Sequence, residues 1–171
     1  MSKHLVLCVE TTHQAKTDQA YIDKTLKAFY KINADVKLTY CNINGKGNYN
    51  KKNLLKQIKE NINQSPADEK YVIYLIDTDN FESNPEDRQL NMRIEQFCNE
   101  NSYKLVWFCR NIEEVYWHKT YHEKEKLNAV KKFNSGDSLQ KATEFSLSAT
   151  SYSKKKSNIL KVLDEILIRK I

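Results

Sequence analysis

Six apolar or aromatic residues in a row, Tyr71-Val72-Ile73-Tyr74-Leu75-Ile76, run straight into Asp77-Thr78-Asp79-Asn80. An uninterrupted apolar run of this length, without polar alternation, reads as a strand covered on both faces. A strand buried that way needs helices above and below it. The rest of the chain supplies them. Leu5 to Val9 is a second such run, closed by Glu10. Val36 to Ile43 and Leu105 to Cys109 read as two more strands. Between them, apolar residues recur at helical spacing: Tyr21, Ile22, Leu26 and Phe29 in one segment, Leu54, Leu55, Ile58 and Ile62 in another. Thr17 reads as the cap of the first helix. The second runs from about Lys51 to Asn63 and is stopped by Ser65-Pro66. A third covers about Glu86 to Asn101.

Strand and helix alternate four times. That order predicts parallel strands joined by right-handed crossovers, and so an α/β fold. The expected architecture is a three-layer sandwich around a mostly parallel, Rossmann-like sheet of four strands, with a helical C-terminal extension. Residues 1–122 form the expected α/β domain and residues 123–171 a basic helical extension packed on it. A helix is expected from Ile112 to about His122, another over residues 123–134 and a closing one from Ile159 to Ile168. Residues 138–151 carry no clear pattern. The 171 residues include 3 Gly and 2 Pro, which excludes collagen-like and linker-rich chains.

No apolar run approaches the roughly 20 residues of a membrane span. The N-terminal stretch reaches an acid at Glu10, leaving no room for a signal peptide, so a cytoplasmic protein with no membrane partner is expected. Cys8, Cys41, Cys98 and Cys109 are widely spaced with no C-x-x-C pair, the pattern of buried reduced thiols.

The net charge is +6, and all of it lies in one region. Residues 1–118 hold 16 basic and 16 acidic side chains, residues 119–171 hold 12 and 6. The densest spot is Lys154-Lys155-Lys156. A basic region beside a neutral body suits a phosphate-backbone partner, hence nucleic acid; a solvated, lysine-rich surface reads the same way.

In open α/β sheets ligands gather at the carboxyl ends of the strands. Glu10 closes the first strand, Asp77 and Asp79 the third. Arg110 and Asn111 close the fourth, with Glu113 and Glu114 just beyond. Side chains two apart on an extended backbone point the same way. Asp77 and Asp79 would therefore repel unless a cation neutralised them. Hard divalent cations take carboxylate oxygens, so Glu10, Asp77 and Asp79 are the candidate ligands of Mg²⁺ or Mn²⁺. With Glu113 and Glu114 they form the candidate catalytic set. Lys46, in the loop Asn44-Gly45-Lys46-Gly47-Asn48, could approach a phosphate, and Arg110, Asn111 and His118 are the other candidate substrate contacts. His118 and His122, four apart, would share one face of a helix. His13 lies in the polar loop after Glu10. Trp107, Phe108, Tyr116 and Trp117 are expected to pack into the core.

The acid after the first strand and the D-x-D after a later one resemble the Toprim fold. The resemblance covers roughly residues 4–118. Within that fold the chain looks most like the small RloB-like group associated with bacterial restriction and abortive-infection loci. Glu10, Thr17, Asp18 and Tyr21 match that group's first motif, Gly45-Lys46-Gly47 its Gly-rich loop, and Asp77 and Asp79 its D-x-D. Asn111, Glu113 or Glu114, and Trp117 match its last motif loosely. The chain departs from the group at Thr11, where members usually have Gly, and at Asp18, where they have Glu.

The resemblance implies a Mg²⁺- or Mn²⁺-dependent nuclease acting on nucleic-acid phosphodiesters in phage defence. The alternative is a catalytically inactive sensor or adaptor that binds nucleic acid, a nucleotide or a protein partner of the same defence system. An aromatic-rich surface could also support a homodimer. The D-x-D resembles haloacid-dehalogenase-type phosphatases superficially; that family carries it on the first strand, and here it follows the third.

Overall fold

A computed structural model describes residues 1–11 and 16–171. Strand β1 (Lys3–Val9) leads to helix α1 (Thr17–Phe29) and strand β2 (Val36–Asn42). A 3₁₀ turn (Lys46–Asn48) and helix α2 (Lys52–Asn63) follow, then β3 (Glu69–Asp77), α3 (Pro85–Glu100) and β4 (Lys104–Phe108). Four helices complete the chain: α4 (Ile112–Trp117), α5 (Glu123–Ser135), α6 (Glu144–Leu147) and α7 (Ile159–Asp164).

The sheet order is β2-β1-β3-β4 and every pairing is parallel. Successive residues of each strand point to opposite faces. Leu5, Leu7, Val9, Ile73, Leu75, Val106 and Phe108 bury one face, together with residues of α1, α4, α5 and α7. Val6, Cys8, Val72, Tyr74, Ile76 and Trp107 bury the other, against Leu54 and Ile58 of α2 and Ile94 and Cys98 of α3. The fold is the expected three-layer α/β sandwich. All four cysteines are buried free thiols. Trp107, Phe108 and Tyr116 are buried, and the half-buried Trp117 donates its indole N–H to Tyr21 at 3.0 Å. Among the described residues no helix is long and apolar enough to cross a membrane.

The C-terminal residues belong to this core. Phe133 of α5 is fully buried and packs against the Tyr21, Tyr116 and Trp117 rings. The open edge of β4 is closed by a side chain: Asn158 accepts from the Trp107 N–H at 2.9 Å and donates to the Leu105 carbonyl at 3.0 Å. Cys109 N–H continues that edge onto the Lys156 carbonyl. An edge covered this way cannot template pairing with another chain.

Several expected boundaries shift. Helix α4 stops at Trp117 rather than near His122, because His118 takes the left-handed conformation (φ 55°) that terminates a helix. His118 and His122 are therefore not on one helix face. His122 precedes α5, where its backbone N–H is held by the Glu125 carboxylate. Thr17 is the first helical residue rather than the cap, a place taken by Lys16, whose side chain makes no capping hydrogen bond among the described residues. Helix α7 ends at Asp164, four residues short, although Ile166 and Leu167 stay buried. The unpatterned stretch 138–151 contains α6, capped by Thr143. His13 lies outside the described residues.

Removing the Phe133 ring should leave a cavity at the junction of α5 with the sheet. Phe133→Ala is expected to lower unfolding stability by about 3–5 kcal/mol. Leu127→Ala, on the exposed side of the same helix, should change it by less than about 0.5 kcal/mol. Urea titration followed by tryptophan fluorescence measures both.

Candidate functional site

Strand order places one crevice in this sheet. From β1 the chain crosses to β2 on one side. It then returns past β1 to β3 and continues to β4. The direction of winding reverses between β1 and β3, and the crevice beyond their carboxyl ends is where open α/β sheets bind ligands. Glu10 and Asp77 stand there. The register pairs Val9 with Leu75, so the two strand ends meet, and Glu10 Oε1 accepts the Asp77 N–H at 2.8 Å. Asp77 in turn uses Oδ1 to accept the Ile112 N–H at 3.0 Å, which holds the first turn of α4 against the crevice.

Two further acids join them. Asp18 sits in the first turn of α1 and Glu113 in the first turn of α4, 9% and 2% exposed. Glu113 Oε2 is buried without a hydrogen bond; its nearest cation is the Lys126 ammonium of α5, 3.9 Å away. Burial dominates the chemistry of all four carboxyls, because desolvation favours the neutral acid. It pushes Glu10 up to about 8, against the opposing pull of Lys46 and the Asp77 N–H. Asp18 is pushed up to about 7 by burial and then by Glu113. Asp77 rises well above the usual range through burial of its carboxyl and then through Glu10, Asp18, Glu113 and Asp79, although part of the residue reaches the surface. Glu113 rises through burial, offset in part by Lys126.

Asp79 is held differently. Its backbone turns into the left-handed region (φ 52°), so it leaves the line of the strand and does not stack beside Asp77. Its carboxylate meets the Lys46 ammonium at 2.7 Å. Lys46 is 6% exposed. It also donates to the Asp77 carbonyl at 2.7 Å and to Asn91 Oδ1 at 2.9 Å. Lys46 is thus turned into the protein, not outward as a phosphate contact. The loop that carries it is set by Asn44 (φ 58°) and Gly45 (φ 97°), and Gly45 N–H bonds to the Glu10 carbonyl. A Cβ at Gly45 would meet only Asn48, so the left-handed φ, not space, calls for glycine there.

The remaining candidates line the rim or serve the scaffold. Asn111 caps α4 by accepting the Glu114 N–H at 2.8 Å. Arg110 lies between Glu82 (3.6 Å) and Glu114 (3.9 Å), and Lys154 reaches the same Glu82 at 3.5 Å. His118 is exposed. Its pKa is lowered by partial burial and by the approach of Lys155 and Lys141. The structure therefore brings Glu10, Asp77 and Glu113 together and adds Asp18, Asn91 and Lys126, which sequence reasoning left out of the site. Asn91 had a signal: it shares the apolar stripe of α3 with Ile94 and Cys98, where an amide needs a buried partner. Lys126 had none, because nothing local distinguishes it from the other lysines of α5.

Comparison of the chain with family models, with curated proteins and with solved structures returns no match.

An acid with a raised native pKa binds its proton more tightly folded than unfolded, so stability falls as pH rises from the unfolded pKa towards the native one. For Asp18 that window runs from 3.8 to about 7. In EDTA, the unfolding free energy from urea titration is expected to fall across this window, by at most about 1.4 kcal/mol per pH unit for one proton. Asp18→Asn should flatten the slope. A profile unchanged by that substitution would mean the Asp18 carboxyl is solvated.

Proposed function

We propose that the chain is a Toprim-like, divalent-metal-dependent domain that cleaves nucleic-acid phosphodiesters. The observation that carries this reading is the pair Glu10 and Asp77, half-buried side by side at the point where the sheet reverses its winding. Among the described residues no three His, Cys, Asp or Glu side chains group closely enough to hold a metal ion by themselves. Mg²⁺ does not require that: it binds through one or two carboxylates and keeps several waters. Glu10 and Asp77 suit it. One oxygen of each is fixed by a backbone N–H, and among the described residues no hydrogen bond is made to the other. Burial first, and then the neighbouring acids, raises their pKa values, and a bound cation would favour the ionised carboxylates in place of protons. Glu10 and Asp77 would hold the Mg²⁺ or Mn²⁺, which when bound polarises a phosphate and lowers the pKa of a water.

The protein's own groups do the rest. The Asp77 N–H orients the Glu10 carboxylate, and the Ile112 N–H orients that of Asp77. Asp18, titrating near neutrality, can take up or release a proton within the cluster. Glu113 keeps that proton on Asp18 by like-charge repulsion. Around the crevice, Arg110, Lys154, Lys155, Lys141 and His118 make a basic rim for a phosphate backbone. The resemblance to RloB-like proteins suggests a setting in phage defence. A second reading, a non-catalytic sensor or adaptor, draws support from the closure of Lys46 over Asp79, which withdraws one acid of the D-x-D from any ligand.

Incubation of the full chain with plasmid, single-stranded DNA and RNA in Mg²⁺, Mn²⁺ or EDTA separates the two. Cleavage is expected to need the metal. It should fall by about 100-fold or more in Glu10→Gln and Asp77→Asn, whose folding is checked by circular dichroism. Cleavage that survives EDTA rejects the metal-dependent reading, and no cleavage of any substrate rejects the enzyme and leaves the sensor.

A further inference from the structure

An ammonium group has three N–H donors and no acceptor, and buried it must place all three. Lys46 does. Its side chain is 5% exposed, and it meets Asp79 Oδ2 at 2.7 Å, the Asp77 carbonyl at 2.7 Å and Asn91 Oδ1 at 2.9 Å. The third acceptor is itself fixed. Asn91 is 1% exposed and donates its amide N–H to the Thr78 carbonyl at 3.0 Å, which orients its oxygen towards Lys46. The ammonium is therefore held from two elements, β3 with its following turn, and α3. Its own loop is tied to the Glu10 backbone through Gly45. Its charge also acts on Glu10, where it is the largest influence favouring the ionised carboxylate. A cation set among one carboxylate, a backbone carbonyl and an amide oxygen has the surroundings of a hard metal ion, made entirely of oxygen.

We propose that Lys46 is the resident cation of this half of the site. Its ammonium stands where a divalent ion bridging Asp79 and the end of β3 would otherwise bind, so Asp79 is not a metal ligand in this chain. This deepens the reading of the crevice as a cation site: metal is confined to the Glu10 and Asp77 side, and the second positive charge is supplied covalently. It also accounts for Asp79 turning away from Asp77. A left-handed backbone at a non-glycine residue is uncommon, and here it delivers the carboxylate to Lys46. A lysine charge is permanent at neutral pH and needs no free metal, so the Asp79 half of the site stays neutralised at any Mg²⁺ concentration.

The test is Mn²⁺ binding to the full chain, by titration calorimetry and by electron paramagnetic resonance of the free ion. Lys46→Met keeps the length of the stem and removes the charge. It is expected to bind one more Mn²⁺ per chain than wild type, and adding Asp79→Asn should return the count to the wild-type value. Asp79→Asn alone, at a partly exposed position, should leave the number of wild-type sites unchanged. That variant does not depend on Lys46→Met folding, which near-ultraviolet circular dichroism monitors. Equal Mn²⁺ binding by folded Lys46→Met and wild type overturns the proposal. So does the loss of a Mn²⁺ site in Asp79→Asn alone, which would make Asp79 a ligand despite the lysine. A wild-type count of zero would instead remove the metal from Glu10 and Asp77, while the difference between Lys46→Met and wild type still decides the role of Lys46.

Discussion

Four carboxyl groups packed under one end of a parallel sheet cannot all be charged without compensation. At an effective dielectric of about 20, two like charges 4 Å apart repel by about 4 kcal/mol. Desolvation adds to that cost. The molecule answers in three ways. Asp77 and Glu10 accept backbone N–H groups, Lys46 and Lys126 bring ammoniums from a loop and a helix, and burial shifts the carboxyls towards the neutral acid. Each answer fixes part of the architecture. The Asp77–Ile112 bond sets where α4 begins, the Lys46 contacts set the loop after β2, and the approach of Lys126 to Glu113 holds α5 over the crevice.

The arrangement costs stability that a non-functional fold would have no reason to give up. A buried acid cluster is weak evidence of a stabilising interaction, since well-packed apolar residues would serve the core better. Glu113 is the plainest case: a 2% exposed carboxylate oxygen without a hydrogen bond, beside an ammonium at 3.9 Å, too long to be one. Strain adds to it. Asp79 and Arg110, facing each other across the ends of β3 and β4, both adopt left-handed backbones and are joined by an N–H to carbonyl bond of 2.9 Å. Burial, repulsion and strained backbone on one side of the sheet, with none needed for the hydrophobic layers, is how functional sites differ from scaffold.

The layers were legible because their signal is local. Tyr71 to Ile76 and Leu5 to Val9 are continuous apolar runs, and helical periodicity marks α1 and α2 directly. The acids at the strand ends were legible for the same reason: each follows its strand immediately. What stayed hidden depended on partners distant in sequence. Lys46 in a glycine-containing loop looks like a phosphate contact until the fold brings Asn91, 45 residues on, to meet it. The end of α4 was misread because His118 fits a continuing helix by composition, and only its left-handed backbone stops it there. Asp79 could not be separated from Asp77 by spacing, since the rule that side chains two apart share a face holds only while the strand stays extended.

The uneven charge of the chain acquires a structural meaning from these contacts. The excess of lysine after residue 118 is not carried on a detached tail. Lys126 faces Glu113, Lys154 shares Glu82 with Arg110, and Lys155 and Lys141 approach His118. The segment that brings Lys154 and Lys155 is itself locked to β4 by Asn158 and the Lys156 carbonyl. One edge of the sheet thus presents basic side chains at its surface while acids occupy its interior. On the proposed reading, a positive rim would draw a polyanion in, and the acids would admit it only with a cation already bound.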